Sequence, residues 1–157
     1  MTQVVAILGF PLRHSLSPVF QQAAFDHYGL DMQYQAWEVP PEGLKETVSR
    51  LKGTKVMGAN VTVPHKEAVI PLMDEVEDTA REMGAVNTIV KRDGSLVGHN
   101  TDVSGFLRAL HDEGGFDPAG RAALLVGAGG VARAVGFGLL KAGVSRLVIV
   151  NRSPERA

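Results

Sequence analysis

The sequence predicts an α/β protein in which a mixed sheet with flanking helices is followed by the first strand–helix–strand unit of a second domain. Two observations lead to this prediction. Apolar segments of strand length alternate with helical segments over the first hundred residues, and residues 121–152 run as strand, glycine turn, helix and strand. A turn-rich link at residues 116–120 separates the two parts, so we divide the chain into residues 1–113 and residues 118–157.

Local signals place each element of the first part. Strands are predicted at residues 3–8, 33–39 and 55–63, the last broken at Gly58. Helices are predicted from Ser17–Pro18 to near Gly29, from Pro40–Pro41 to Gly53, after Pro64, over residues 74–83 and over residues 101–113. Asp93 and Gly94 lie between two short apolar segments, 87–90 and 96–99, and this arrangement is typical of a β-hairpin.

The second part begins with a short apolar run at residues 122–126, which fits a buried parallel strand. Gly127, Gly129 and Ala132 follow with the spacing G-x-G-x-x-G/A. Gly127 permits a tight turn, Gly129 lets a pyrophosphate approach the backbone, and Ala132 allows the helix to pack closely on the strand. The spacing and its context predict the first unit of a Rossmann-type dinucleotide-binding domain, in which the helix N-terminus binds the phosphates.

The end of the next strand indicates which dinucleotide is bound. An NAD site carries Asp or Glu about 20 residues after the glycine turn, where the carboxylate binds the ribose 2′-hydroxyl. This chain has Asn151 and Arg152 there, and a guanidinium attracts a 2′-phosphate, so the sequence predicts NADP(H). The predicted cofactor-binding residues are Gly127, Ala128, Gly129, Gly130, Val131, Ala132, Asn151, Arg152, Ser153 and Arg156.

Composition excludes several classes of partner. Sixteen basic and seventeen acidic residues give a formal net charge of −1 with no run of like charge, which argues against nucleic acid and membrane surfaces. The absence of cysteine excludes disulfides and thiolate metal sites, and His14, His65 and His99 lack the H-x-x-x-H metal spacing. No signal peptide and no stretch of about 18 apolar residues occur, so we expect a soluble, cytoplasmic protein without a metal.

Polar residues are concentrated where predicted strands end, which is the edge at which open α/β sheets bind ligands. Ser15 and Ser17 flank the start of the first helix, where two hydroxyls suit a carboxylate or a phosphate; plain capping by Ser17 is the alternative. Asn60 and Thr62 share one face of a strand, and the turn after it carries Lys66 back toward them. A solvated strand end is the alternative for this second group.

Two further groups complete the polar set. Asn87 and Thr88 follow a Gly-Ala-Val segment, and Asn100, Thr101 and Asp102 follow Gly98-His99. Capping by Asn100 or Thr101, with Asp102 as an acid in the first helical turn, is a complete structural alternative for the triplet. The number of amide and hydroxyl groups nevertheless predicts a ligand rich in hydroxyls, because such groups are costly to leave unpaired.

Six segments in consistent order closely resemble the shikimate dehydrogenases: SLSP, NVTVPHK, GAVNT, GHNTD, GAGGVARA and NRSPERA. The resemblance covers essentially the whole chain. It implies reversible, NADPH-dependent reduction of 3-dehydroshikimate to shikimate, a step in aromatic amino-acid biosynthesis. Members of this family continue through the rest of the nucleotide-binding sheet, so the chain resembles a C-terminally truncated member.

The same likeness implies a role for each residue of the site. Ser15 and Ser17 are expected to bind the substrate carboxylate, and Lys66 and Asp102 are expected to form the catalytic pair. The residues expected to bind substrate are Ser15, Ser17, Asn60, Thr62, Lys66, Asn87 and Asp102. The pairing is chemically consistent, because hydride delivery to a ketone builds negative charge on oxygen, which a lysine ammonium stabilises and protonates.

Other interpretations stay open at this point. One is a quinate/shikimate dehydrogenase that uses NAD, against which Arg152 argues. Another is a non-catalytic fragment or paralogue that binds shikimate without turning it over. The expected partner in each case is a small molecule, and a homodimer is compatible with the sequence.

Overall fold

The computed structural model describes residues 2–153 and residue 155. The chain divides after Asn100 into two compact units. The first unit contains a mixed six-stranded sheet with helices, and the second contains a two-stranded parallel sheet with helices. The predicted α/β fold class, with a mixed sheet followed by one strand–helix–strand unit, is confirmed. The predicted functional boundary between residues 113 and 118 stays a prediction.

The first unit follows the chain as alternating strands and helices. Its strands are β1 (Gln3–Gly9), β2 (Met32–Glu38), β3 (Val56–Val61), β4 (Glu75–Val76), β5 (Thr88–Arg92) and β6 (Ser95–His99). Its helices are α1 (Ser17–His27), α2 (Leu44–Arg50), α3 (His65–Ala68) and α4 (Asp78–Met83), with 3₁₀ turns at Pro41–Gly43 and Ile70–Leu72. The strand order is β2-β1-β3-β5-β6-β4. β1 is parallel to β2 and β3, whereas β3, β5 and β6 are successively antiparallel.

The two faces of this sheet bury different sets of side chains, because successive strand residues point to opposite faces. The larger core joins strand residues such as Ala6, Leu8, Ala59, Val61 and Ile89 to Leu44, Val48 and Leu51 of the α2 segment. The predicted helix after Pro40–Pro41 therefore packs on the sheet through one apolar face. A smaller cluster contains Ile7, Leu12 and Tyr34, with Phe25 of α1 packed against it. The opposite faces of β1 thus contact different helices.

The predicted helix over residues 74–83 is wrong in its first part. Residues Glu75–Val76 form β4, which pairs with β6, and the helix begins only at Asp78. The Asp74 carboxylate accepts the Leu96 N–H at 2.7 Å, and the Asp74 N–H donates to the Leu96 carbonyl at 3.0 Å. This long-range pairing overrides the local helical preference of the segment. The predicted end at Gly84 is confirmed by its left-handed backbone, with φ of 63°.

Glycine positions in the first unit explain two further features. Asp93 and Gly94 have φ of 51° and 84°, which gives the two-residue turn of the predicted β5–β6 hairpin. The predicted break at Gly58 is instead a shift of register between β1 and β3, and β3 runs on through it. A Cβ at Gly58 would collide with the carbonyl oxygen of Ile89 on β5, so the close approach of these strands requires glycine.

The second unit consists of α5 (Asp102–Arg108), a π-helical turn at Ala109–Glu113, β7 (Ala122–Val126), α6 (Gly130–Lys141) and β8 (Arg146–Val150). β7 pairs with β8 in parallel, so the predicted strand, glycine turn, helix and strand are confirmed. Gly138 of α6 lies against Val103, Phe106 and Leu107 of α5, which packs the two helices together. None of the helices in the described part of the chain is long and apolar enough to cross a membrane.

The expectation that residues 122–126 form a buried strand is wrong. Side chains along β7 alternate between exposed and half-buried, and Leu124 and Val126 are 67% and 78% exposed. The physical reason is that β7 pairs only with β8 among the described residues, and α6 covers one face of this pair. An apolar strand sequence therefore identified the element but not its burial.

Candidate functional site

Asn60, Thr62, Lys66 and Asn87 lie around the carboxyl end of β3. Backbone hydrogen bonds join their segments: the Val61 N–H donates to the Asn87 carbonyl, and the Val86 N–H donates to the Lys66 carbonyl, both at 2.8 Å. Asn87 is buried, and the other three residues are half-buried. The predicted polar residues of the NVTVPHK and GAVNT segments are thus neighbours in the fold, although the role of each stays a prediction.

The end of β1 packs tightly on this group through Gly9, which the sequence analysis did not single out. The Thr62 N–H donates to the Leu8 carbonyl at 2.9 Å. A Cβ at Gly9 would lie 2.5 Å from the Thr62 Cγ2 and 2.6 Å from the Leu12 Cδ2, so a larger residue would displace these side chains. A glycine directly at the end of an apolar strand was the available signal. The peptide bonds before Pro11 and Pro64, beside the same site, are both cis.

His65 anchors the short helix that carries Lys66. It is the first residue of α3 and is only 1% exposed. Its Nε2 lies 2.6 Å from the Val39 carbonyl oxygen and donates to it, because a carbonyl can only accept. A buried side chain therefore fixes α3 to the segment that follows β2.

Asn60 and Asn87 of this site are linked with Tyr34 and Thr88 by a continuous series of hydrogen bonds, which we call the amide relay. The Tyr34 hydroxyl donates to the Asn60 Oδ1 at 2.7 Å, and the Asn60 Nδ2 donates to the Thr88 Oγ1 at 3.4 Å. The Thr88 Oγ1 donates in turn to the Asn87 Oδ1 at 2.9 Å. Burial raises the pKa of Tyr34 to about 12, so this hydroxyl stays protonated, and able to donate, near neutral pH. Tyr34 was not predicted as a site residue, and Thr88 was noted beside Asn87 without a role in the site.

The structure changes the interpretation of the two serines. Ser17 is the first residue of α1, and the N-cap residue, Leu16, makes no side-chain capping bond. The alternative that Ser17 is a plain capping residue is therefore wrong. The Ser15 Oγ accepts the Ser17 N–H at 3.4 Å, and both serines are half-buried. Their predicted role in binding a carboxylate stays a prediction.

The Asn100–Asp102 triplet lies where the two compact units divide. The Asn100 Nδ2 donates to the Ala85 carbonyl at 2.9 Å, while Thr101 occupies the N-cap position of α5 without a side-chain capping bond. Asp102 is half-buried in the first turn of α5, the position that the structural alternative expects. Lys66 belongs to the first unit and Asp102 to the second, so their pairing stays a prediction.

The predicted phosphate-binding loop has the expected local form. Gly127 has φ of 111°, a conformation that strongly favours glycine, and its N–H donates to the Val150 carbonyl at 2.8 Å. Gly129 is the N-cap of α6, and no atom lies within 4 Å of the position a Cβ would take there. The first-turn N–H groups of this twelve-residue helix have no partner further back in the helix, so they are available to an anion.

The predicted 2′-phosphate residues follow β8. Asn151 is half-buried and donates through its Nδ2 to the Ser153 carbonyl at 2.8 Å, which folds the segment into a tight turn. Arg152 lies between them and is exposed to solvent. Arg156 lies outside the described residues. In the described part of the chain, no group of three or more His, Asp or Glu residues could hold a metal ion.

The family described as the shikimate dehydrogenase substrate binding domain matches residues 7–89, which include the end of β1, all of β2 and β3, and most of the polar residues above. The chain belongs to the shikimate dehydrogenase family. The match ends within β5, and similarity to individual members extends further along the chain.

The shikimate dehydrogenase (NADP(+)) of Moorella thermoacetica is 54% identical over 156 residues, which cover 99% of this chain and 52% of that protein. A crystal structure of the Thermus thermophilus enzyme in complex with NADP(H) and shikimate is 42% identical, with a TM-score of 0.91 over 99% of this chain and 58% of that chain. The ligand-free 5-ketofructose reductase of Gluconobacter sp. strain CHM43 is 36% identical, with a TM-score of 0.90, over 100% of this chain and 56% of that chain. The chain thus spans about half the length of the relatives that it matches.

Proposed function

We propose that the protein catalyses the reversible NADP-dependent reduction of 3-dehydroshikimate to shikimate. The observation that carries this proposal is family membership together with the cluster at the end of β3, where Asn60, Thr62, Lys66 and Asn87 are neighbours. Two amides, a hydroxyl and an ammonium suit a ligand that carries several hydroxyls and a ketone. A purely structural role would not require so many polar groups at one strand end.

Substrate binding is proposed to use residues from four segments. Ser15 and Ser17, at the start of α1, would bind the carboxylate, because hydroxyl donors stabilise an anion. The residues proposed to hold the ring hydroxyls are Asn60, Thr62, Asn87 and Asp102. Buried amide and hydroxyl groups favour a ligand that forms hydrogen bonds with them, since each group left without a hydrogen bond costs about 1–3 kcal/mol.

The loop after β7 fits a dinucleotide. Gly127 and Gly129 leave open space for a pyrophosphate, and the N-terminus of α6 offers unpaired N–H groups to it. Arg152 would bind the 2′-phosphate of NADP, with Asn151 and Ser153 shaping the turn. The bound cofactor supplies the hydride that reduces the ketone carbon.

Lys66 is proposed as the catalytic acid. Its ammonium stabilises the negative charge that develops on the ketone oxygen and then donates a proton to that oxygen, which gives the alcohol. In the reverse direction the neutral amine accepts the same proton. Asp102 would orient the ammonium and the reacting hydroxyl. A half-buried position suits this role for Lys66, since the amine is shielded from bulk water and can still reach a ligand.

The test measures NADPH formation from shikimate and NADP, using the product of the full reading frame that encodes these residues. Lys66→Ala is expected to lower kcat by about 100-fold or more while KM changes little, because the proton is needed in the transition state. Lys45→Ala on α2, which replaces an exposed lysine, is the matched control and should leave both constants unchanged. A change in KM alone for Lys66→Ala would refute the acid role.

The same assay separates the enzyme from a module that only binds shikimate. Isothermal titration with shikimate alone gives binding in either case, so it serves as a test of the pocket. Binding without NADPH formation would support the non-catalytic alternative and overturn the proposed activity. Absence of shikimate binding would overturn the proposed substrate as well.

A further inference from the structure

We propose that Tyr34 and Thr88 are positioning residues, which hold two substrate-binding amides in a single orientation. The amides belong to Asn60 and Asn87, so this inference rests on the proposed function and deepens it. It assigns roles to two residues of the amide relay that lie behind the polar cluster at the end of β3.

The hydrogen bonds of the relay run in one direction. The Tyr34 hydroxyl donates to the Asn60 Oδ1 and holds this amide with its oxygen toward β2. The opposite end of that amide, Nδ2, then faces Thr88, the cross-strand partner of Asn60 in the β3–β5 ladder. Because the Thr88 Oγ1 accepts from Asn60, its own proton goes to the Asn87 Oδ1.

The relay therefore uses the oxygen atom of both amides. An asparagine side chain offers one acceptor and two donors, and its two ends can exchange by rotation of the amide through about 180°. With each amide held in one orientation, Asn60 and Asn87 present fixed donor and acceptor positions to a ligand. Such a site discriminates against a ligand that lacks the matching hydroxyl.

The first residue of the relay is held rigidly. Tyr34 is 6% exposed and packs with Ile7 and Leu12, and its ring lies 6.2 Å from that of Phe25 on α1. Its backbone N–H also donates to the Gln22 Oε1 of α1 at 2.8 Å. Ring packing and a backbone anchor on the same helix leave the hydroxyl little freedom, which is what a positioning residue requires.

The experiment measures the dissociation constant of shikimate for single and double variants of the full-length protein. Tyr34→Phe and Thr88→Val each remove one hydroxyl and keep the shape of the side chain, and each should weaken shikimate binding about 5- to 20-fold. Thr88→Ser keeps the hydroxyl and should restore binding to within about twofold. A shikimate analogue without the ring hydroxyls should bind equally to the wild type and to both variants.

Controls separate positioning from a loss of stability. Thr47→Val replaces a buried threonine of α2 that lies outside the relay, and Tyr28→Phe replaces an exposed tyrosine. Neither substitution should change the affinity for shikimate. In an Asn60→Ala background, Tyr34→Phe should have no further effect on affinity, because it acts through that amide. An additive effect there would show a general structural role and overturn the inference.

The outcomes also distinguish this inference from the proposed function. If Asn60→Ala leaves shikimate binding unchanged, the assignment of the substrate site fails. If Asn60→Ala weakens binding while Tyr34→Phe and Thr88→Val do not, the site stands and the relay is overturned. Should Tyr34→Phe fail to fold, the Thr88→Val and Thr88→Ser pair decides the question alone.

Discussion

At the scale of single residues, Tyr34 combines a buried ring with a hydroxyl that makes a polar contact. The ring belongs to the smaller core cluster of the first unit, and the hydroxyl donates to Asn60 at 2.7 Å. Burial opposes ionisation because a tyrosinate would lose its hydration, and this raises the pKa of Tyr34 to about 12. The same burial that supports the core therefore keeps the hydroxyl a donor.

The raised pKa of Tyr34 predicts how stability changes in alkali. An unfolded tyrosine ionises near pH 10, whereas the folded one ionises at about 12, so the folded state holds its proton over that interval. The contribution of Tyr34 to stability is complete below pH 10 and is lost as the pH rises through 12. The advantage of the wild type over Tyr34→Phe, measured by denaturant unfolding, should therefore shrink across this window.

A spectroscopic titration checks the same prediction directly. The difference in tyrosinate absorbance between the wild type and Tyr34→Phe should have its midpoint at about 12. A midpoint near pH 10 would contradict the burial of the hydroxyl and, with it, the rigid start of the amide relay. Tyr28→Phe provides the comparison for an exposed ring, since Tyr28 is 75% exposed.

Sequence reasoning found the residues with local signals and missed those that depend on distant contacts. Gly127 and the Asp93–Gly94 pair were predictable because a positive φ is a property of the residue and its neighbours. Tyr34 and Asn60 are 26 positions apart, so no local pattern reveals their hydrogen bond. The tight fit of Gly9 against Thr62 was hidden for the same reason.

At the scale of elements, Asp74 fixes an edge of the six-stranded sheet. Its carboxylate accepts from the Lys52 Nζ at 2.8 Å and from the Leu96 N–H at 2.7 Å, just before β4 pairs with β6. The hydrogen bond from Lys52, followed by that from Leu96, lowers the pKa of this carboxyl group. The Asp74 side chain thus joins the segment after the Ile70–Leu72 turn to the β5–β6 hairpin.

Asp74→Asn is expected to lower stability at neutral pH in a way that disappears in acid. A lowered pKa means that the folded state favours the carboxylate, so the contribution is present above the unfolded pKa and is lost as the pH falls through the folded value. Denaturant midpoints of wild type and variant should therefore differ at pH 7 and converge in strong acid. Asp93→Asn, in the hairpin turn where asparagine is well tolerated, is the control; an equal loss at both pH values would contradict the mechanism.

The accuracy of the predicted elements followed the range of the interactions that form them. The hairpin and the glycine turn before α6 depend on residues next to each other in the chain, and both were predicted correctly. β4 has two residues and exists because Glu75 and Val76 pair with Val97 and Gly98, so the local pattern was read as helix. The exposure of β7 depends on which strands lie beside it, which its own apolar sequence does not report.

At the scale of the whole molecule, the candidate residues are divided between the two compact units. Ser15, Ser17, Asn60, Thr62, Lys66 and Asn87 belong to the first, whereas Asp102 and the described cofactor-loop residues belong to the second. Most of the proposed substrate contacts therefore come from the first unit, whereas the described cofactor contacts come from the second. A substitution that removes only the proposed 2′-phosphate contact should therefore leave shikimate affinity unchanged, because no proposed substrate residue belongs to the segment after β8.

Arg152→Ala tests this separation and the choice of cofactor together. The exposed guanidinium follows β8 at the position where an NAD site has a carboxylate, and a charge-assisted hydrogen bond to a phosphate contributes about 1.5–3 kcal/mol. NADP binding, measured by isothermal titration of the full-length protein, should weaken about 10- to 100-fold, while NAD and shikimate affinities stay unchanged. Arg146→Ala, at the start of β8, removes a matched exposed charge and should change none of the three affinities. Equal losses for NADP and NAD would show that Arg152 supports the loop as a whole, and tighter binding of NAD than NADP by the wild type would overturn the predicted cofactor.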